Sequence, residues 1–246
     1  MTASIISVPS KDMAAKLAEL TVPIQNKAIA DHGAFHVAIS GGSLAKTMAQ
    51  GMLNNPEIHW EKWVIWLADE RLVPLDHPDS NWGIFNSEVI QKLAPERRPI
   101  SHTISTKLDF ESAPTADFAA EYQHQLVESL GEAPVIDYIF LGAGPDAHTC
   151  SLFPGHQLLN EHTLLVAGID DSPKPPPRRI TLTKKALGLA DHMVFVCGGA
   201  GKQAALEGIF KTKDAELPSY QVNELAKNPV VWLCDDDATA SIKSSL

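Results

Sequence analysis

The chain has 246 residues, 44% apolar and 20% charged, a globular composition that excludes a disordered, collagen-like or disulfide-scaffold protein. With 30 acidic against 20 basic residues the formal charge is −10. No general field therefore holds nucleic acid or an anionic membrane, and a bound anion needs a few local donors.

The opening MTASIISVPSKDM lacks the basic and long apolar regions of a secretory leader. No run approaches the roughly 18 apolar residues of a membrane span. In chain order, nearly continuous apolar runs appear at FHVAIS (35–40), WVIWLAD (63–69), DYIFLG (137–142), MVFVCG (193–198) and VVWLCD (230–235). Such runs suit strands covered on both faces of a parallel sheet. Helices are predicted at 43–54, 81–93, 112–130 and 200–211, the third with Pro114 near its start and Gly131 after its end. The βαβ rhythm predicts a three-layer α/β/α fold, a doubly wound and mostly parallel sheet, built as one domain over 1–246. Cys197 and Cys234 close apolar runs and read as small buried hydrophobes, and with Cys150 they form no C-x-x-C, which suits a reducing, cytoplasmic setting. The final Ser244-Ser245-Leu246 resembles a peroxisomal address only weakly, because its middle residue is not basic.

Ligands of such sheets sit beyond the carboxyl ends of the strands, so the residues after each run carry the functional reading. Gly41-Gly42-Ser43 enters a helix, which makes either an anion cradle of backbone N–H groups or a tight turn with a serine cap. Asp69-Glu70-Arg71 places three charges at the end of a buried strand, as site residues or as a solvated turn. The stretch Gly142 to Ser151 formally matches a dinucleotide fingerprint, but Pro145 and Asp146 occupy its turn, and a carboxylate there repels a pyrophosphate. It reads better as a loop presenting Asp146 and His148, since an imidazole titrates near neutrality and a neighbouring carboxylate orients it. No metal-ligand spacing accompanies His148, Ser151 has no nucleophile elbow, and adjacent positions seldom pair Cys150 with His148. The Pro-rich Ser172–Arg179 segment is either no more than a stiff polyproline surface loop or a loop that holds a guanidinium, Arg178 or Arg179, at a site on the strand ITLT (180–183). Gly198-Gly199 leads to Lys202 in a first helical turn, where a cation opposes the helix dipole unless it shares an anion. A phosphorylated small molecule fits this set. Its phosphate would lie on Gly41–Ser43, Arg179 and Lys202, with its reacting end near His148.

At these residues the sequence resembles the 6-phosphogluconolactonase family, in its eukaryotic-type members, over almost its whole length. The matching stretches are AISGGS (38–43), ADERLVPLDHPDSNWG (68–83), LGAGPDAHTCSLFPGH (141–156), DDSPKPPPRRITLT (170–183) and GGAGKQAAL (198–206). The resemblance implies a fold shared with glucosamine-6-phosphate deaminases and ribose-5-phosphate isomerases. It implies hydrolysis of 6-phospho-D-glucono-1,5-lactone to 6-phosphogluconate in the oxidative pentose phosphate pathway, with no metal or organic cofactor. It also implies phosphate contacts from Gly41, Gly42, Ser43, Arg179 and Lys202, acid/base work by His148, and support from Asp69, Arg71 and Asp146. Apart from the resemblance, a cytoplasmic location and a monomer are expected, with the sequence itself silent on oligomeric state. Ala147 stands where the family motif has glycine. If that position needs a positive φ, alanine costs on the order of 1 kcal/mol and shifts His148. This departure motivates one alternative, a non-catalytic sugar-phosphate-binding protein. A deaminase or isomerase of the same fold is the other. A deaminase-type site is expected to carry a glutamate seven positions after the aspartate, where this sequence has Phe153.

Overall fold

A computed structural model describes residues 3–243, so the terminal Ser244-Ser245-Leu246 lies outside the described residues. Among the described residues there are ten strands: β1 (Ser4–Val8), β2 (Phe35–Ile39), β3 (Trp63–Leu67), β4 (Asp69–Arg71), β5 (Ile100–Ser101), β6 (Tyr138–Leu141), β7 (Val166–Ile169), β8 (Arg179–Leu182), β9 (His192–Cys197) and β10 (Val231–Asp235). The helices are α1 (Met13–His32), α2 (Leu44–Met52), α3 (Asn81–Glu88), α4 (Thr115–Leu130), α5 (Lys184–Leu189), α6 (Gln203–Glu207), α7 (Pro218–Leu225) and α8 (Asp236–Thr239).

Seven strands form a parallel sheet in the order β1-β10-β9-β6-β2-β3-β5, flanked by helices. Every residue of β3 and β6 is buried, as their unbroken apolar runs require. The register aligns Ile39 with Leu67 and Phe140, Leu141 with Phe195, and Cys197 with Cys234. The loops after β2, β3, β6 and β9 therefore leave along one edge. β2 lies between β3 and β6, so the strand order reverses there, and the crevice of such a fold opens at that point.

Three expectations change. The run 63–69 is not one strand: β3 ends at Leu67, and the chain passes at Ala68 into β4, part of an antiparallel sheet ordered β4-β8-β7. Ala68 belongs to both sheets, donating to Ile39 O at 2.8 Å and accepting from Leu182 N at 2.8 Å. The predicted helices 81–93 and 200–211 are shorter than expected. The first becomes a 3-10 turn over Ile90–Lys92, and the second opens with one over Ala200–Lys202 and ends in a wide π turn over Gly208–Thr212. Helix α1, absent from the sequence reading, runs through Pro23. Proline usually ends a helix, but here its apolar face stays buried through Leu17, Ala18 and Ala28.

Candidate active site

The edge loops enclose a cleft of about 220 Å³ that Gly41, Gly42, Ser43, Asp69, Arg71, His148, Arg179 and Lys202 all line. Of the residues expected at the site only Asp146 stands behind the wall, against His148.

Gly41 passes so close to α3 that a Cβ there would lie 2.0 Å from Asn81 Oδ1. Gly42 follows with φ +80°. Ser43 opens α2 without a side-chain cap bond, so the capping alternative does not describe it.

The three charges after β3 divide their roles. Asp69 is buried and ties three loops together, accepting from Ser40 Oγ at 3.1 Å, Asn81 Nδ2 at 3.3 Å and Ser151 Oγ at 2.8 Å. Glu70 is fully buried and is no solvated turn residue. It accepts from the N–H groups of Arg71, Asn81 and Trp82 at 2.7, 2.7 and 2.8 Å and from Ser80 Oγ at 3.0 Å. Burial pushes its carboxyl up to about 7 against the pull of those four donors. It fixes the first turn of α3, and with it Asn81. Arg71 donates to Asp79 O at 2.6 Å and sits directly opposite Arg179 in the β4–β8 pair. Like charges facing each other across strands repel. Burial and Arg71 lower the pKa of Arg179, and Asp69 opposes them. Such a pair is stabilised by any anion placed between the two guanidiniums.

Of the two candidate arginines, the structure places Arg179 in the cleft. Arg178 turns away and clamps the segment before α4, donating to Phe110 O at 2.6 Å and Thr115 Oγ1 at 3.1 Å. The relation of loop to guanidinium is reciprocal: Arg179 Nε and Nη2 donate to Pro176 O at 2.9 Å and Lys174 O at 2.6 Å.

His148 Nδ1 lies 2.5 Å from Asp146 Oδ1, and the ring stacks on Phe153 at 4.9 Å between centroids. The ring lies against Gly144, where a Cβ would meet Nδ1 at 2.0 Å. That close approach is what the glycine provides. Burial lowers the pKa of His148, Asp146 raises it, and the ring ends below its ordinary value. Burial pushes Asp146 up, but its bonds to His148 and Lys174 outweigh this and hold it at about 2.

Ala147 does have a positive φ, +57°, and is fully buried. The strain is contained: its N–H donates to Gly144 O at 2.9 Å, and its carbonyl accepts from Ser219 N at 3.0 Å and Ser219 Oγ at 2.8 Å. The contact between His148 and Asp146 survives the alanine. Replacing it by glycine relieves on the order of 1 kcal/mol of strain and removes a buried methyl of ~0.8 kcal/mol. Ala147→Gly is therefore expected to change urea-unfolding stability by less than about 1 kcal/mol and turnover by less than about twofold. A large rise in turnover would show that the alanine does displace His148.

Lys202 closes the far side of the cleft in the turn before α6. Asp235 fixes that turn by accepting from Gly199 N at 2.9 Å. Cys150, Cys197 and Cys234 are free and buried. Burial pushes the Cys150 thiol far up, which suits no nucleophile. The sequence reading did not assign Ser40, Asn81, Ser151, Phe153 or Lys174 to the site. Ser151 was weighed there only as a nucleophile, Phe153 only as the residue at a deaminase's glutamate position, and Lys174 lay in the Pro-rich segment. No helix among the described residues is long and apolar enough to cross a membrane.

The family described as glucosamine-6-phosphate isomerases/6-phosphogluconolactonase matches residues 9–232. The chain is 37% identical to a probable 6-phosphogluconolactonase of Schizosaccharomyces pombe, over 98% of this chain and 97% of the relative. It is 36% identical to the 6-phosphogluconolactonase of Rattus norvegicus, over 96% and 91%. Among solved structures, 6-phosphogluconolactonase from Thermotoga maritima superposes with a TM-score of 0.78 at 25% identity, covering 96% of this chain and all of that one.

Proposed function

Because the chain belongs to the glucosamine-6-phosphate isomerase/6-phosphogluconolactonase family, we infer that it hydrolyses 6-phospho-D-glucono-1,5-lactone to 6-phosphogluconate. One observation supports the reading most: an imidazole whose Nδ1 lies 2.5 Å from Asp146 Oδ1 borders the same cleft as three cations, Arg71, Arg179 and Lys202. In this reading Arg179, Lys202 and the N–H groups of Gly41–Ser43 take the phosphate, and Arg71 stays with the reacting end. The lactone carbon then lies at His148.

A lactone is an activated ester, so attacking water needs one proton removed. His148 takes that proton at Nε2 as the water oxygen bonds to C1. The negative oxygen of the tetrahedral intermediate is met by Arg71. Collapse breaks the bond from C1 to the ring oxygen, and the imidazolium returns its proton to that oxygen, leaving the free acid and an open-chain hydroxyl. Asp146 holds the ring in the tautomer that leaves Nε2 unprotonated. Asp69 acts one step away, by holding Ser40, Asn81 and Ser151. Phe153 stacks beneath His148 where a deaminase-type site would carry a carboxylate.

The test is decay of freshly generated lactone with and without the protein, beside an assay for ammonia release from glucosamine 6-phosphate. Accelerated decay without ammonia is expected. Decay at the spontaneous rate with intact binding of 6-phosphogluconate would favour the binding protein. In the same assay, Lys202→Ala should raise KM about tenfold, the worth of one charge-assisted hydrogen bond of ~1.5 kcal/mol, with kcat nearly constant. An unchanged KM removes Lys202 from the phosphate.

A further inference from the structure

Lys174 has no place in the scheme above, yet its backbone is among the best-held in the loop. Its carbonyl accepts from Arg179 Nη2 at 2.6 Å and Ser172 Oγ at 2.9 Å, and three prolines follow it with restricted φ. From this anchorage its ammonium lies 3.1 Å from Asp146 and 2.9 Å from His148 Nδ1. It also lies 5.9 Å from the centroid of Phe153, the ring on which His148 stacks.

Ammonium, carboxylate and ring nitrogen thus form a triangle. An ammonium only donates. If Nδ1 carries no proton it accepts from Lys174, but two acceptors, Nδ1 and Asp146 Oδ1, then face each other at 2.5 Å. If Nδ1 carries its proton it donates to Asp146, and Lys174 donates to the same carboxylate. The second arrangement gives both donors the same carboxylate and leaves the Nε2 lone pair free, with the ammonium and the Nδ1–H side by side at 2.9 Å. Charging the ring places two cations 2.9 Å apart.

We propose that Lys174 is a positioning residue for His148, sharing Asp146 with the ring so that the imidazole stays neutral at rest and releases a captured proton readily. The proposal rests on His148 being the acid/base of the reaction. The other groups facing the ring are Asp146 from its own loop, Asp69 from the start of β4, and the Cys150 thiol, which burial keeps neutral; Gly144 and Phe153 carry no charge. Asp146 and Asp69 favour the charged ring. Burial and Lys174 oppose it; Arg71, Arg179 and Lys202 line the same cleft as the ring.

The experiment follows the His148 ring by nitrogen-15 NMR against pH in the parent, Lys174→Met and Lys174→Arg, with the pH profile of kcat measured on the same samples. The signal is identified by its loss in His148→Gln, and circular dichroism checks folding. Lys174→Gln replaces the methionine variant if that one does not fold. Lys174→Met should move the ring's midpoint up by about one pH unit and carry the acid limb of kcat with it. Lys174→Arg should restore at least half of the shift. An unmoved midpoint in folded Lys174→Met, or equal shifts in both variants, overturns the proposal. A midpoint that moves while the acid limb stays upholds the role of Lys174 on the ring and removes His148 from the chemistry.

Discussion

His148→Ala is expected to lower kcat for the lactone by about 10²–10⁴-fold, the usual worth of a positioned acid/base, while KM changes by less than about threefold. The split follows from geometry. The donors proposed for the phosphate, Arg179, Lys202 and the Gly41–Ser43 backbone, lie on other segments than the loop that carries His148. Removing the imidazole leaves them in place. Their contribution is made equally to ground state and transition state, so binding survives. The pH profile supplies a second reading. The base works only when neutral, and burial lowers its pKa despite Asp146. Turnover should therefore be flat through neutrality and fall only in acid, below the ordinary histidine range near 6.5. Asp146→Asn removes the carboxylate that raises the ring's pKa, so the acid limb should move further down as kcat falls. Because the lactone also opens spontaneously, rates are compared after subtracting decay without protein. Full activity in His148→Ala would dismiss the ring from the reaction.

The elements that sequence carries well are those whose burial follows a simple period. The five apolar runs became strands of the parallel sheet because both faces are covered, and their ends marked the cleft edge. The break at Ala68 is invisible in WVIWLAD, since Ala68 and Asp69 are buried for different reasons: one bonds two sheets, the other gathers three polar side chains from distant loops. Helix α1 was hidden by Pro23, a local signal that tertiary packing overrides. The glycine and histidine motifs gave the cleft residues, because backbone approach and titration near neutrality are properties of residue type. The buried, loop-fixing role of Glu70 and the place of Lys174 beside the ring were not legible. Their meaning lies in partners at Asn81 and Trp82, and at Asp146 and His148, supplied only when separate loops meet.

Arg179→Lys keeps the charge and tests whether the guanidinium's shape matters. Arg179 is 2% exposed and reaches in three directions: Nε to Pro176 O at 2.9 Å, Nη2 to Lys174 O at 2.6 Å, and Nη1 to Ser151 Oγ at 3.4 Å. Its plane also lies 5.6 Å from the Phe153 centroid. A lysine presents its donors from one atom and cannot span these acceptors together. Two half-buried carbonyls then lose a charge-assisted hydrogen bond, each worth about 1.5 kcal/mol. The expected loss of stability is about 3 kcal/mol, read as a fall in Tm of roughly 6–12 °C. Function should suffer at both ends of the substrate. The phosphate loses a planar double donor, so KM rises more than tenfold. The loop that carries Lys174 toward His148 loses its clamp, so kcat falls as well. Lys202→Ala, which touches no such clamp, serves as the control that raises KM alone. If Arg179→Lys lowers Tm but leaves KM unchanged, the guanidinium only holds the proline loop, and the phosphate must rest on Lys202 and the Gly41–Ser43 turn.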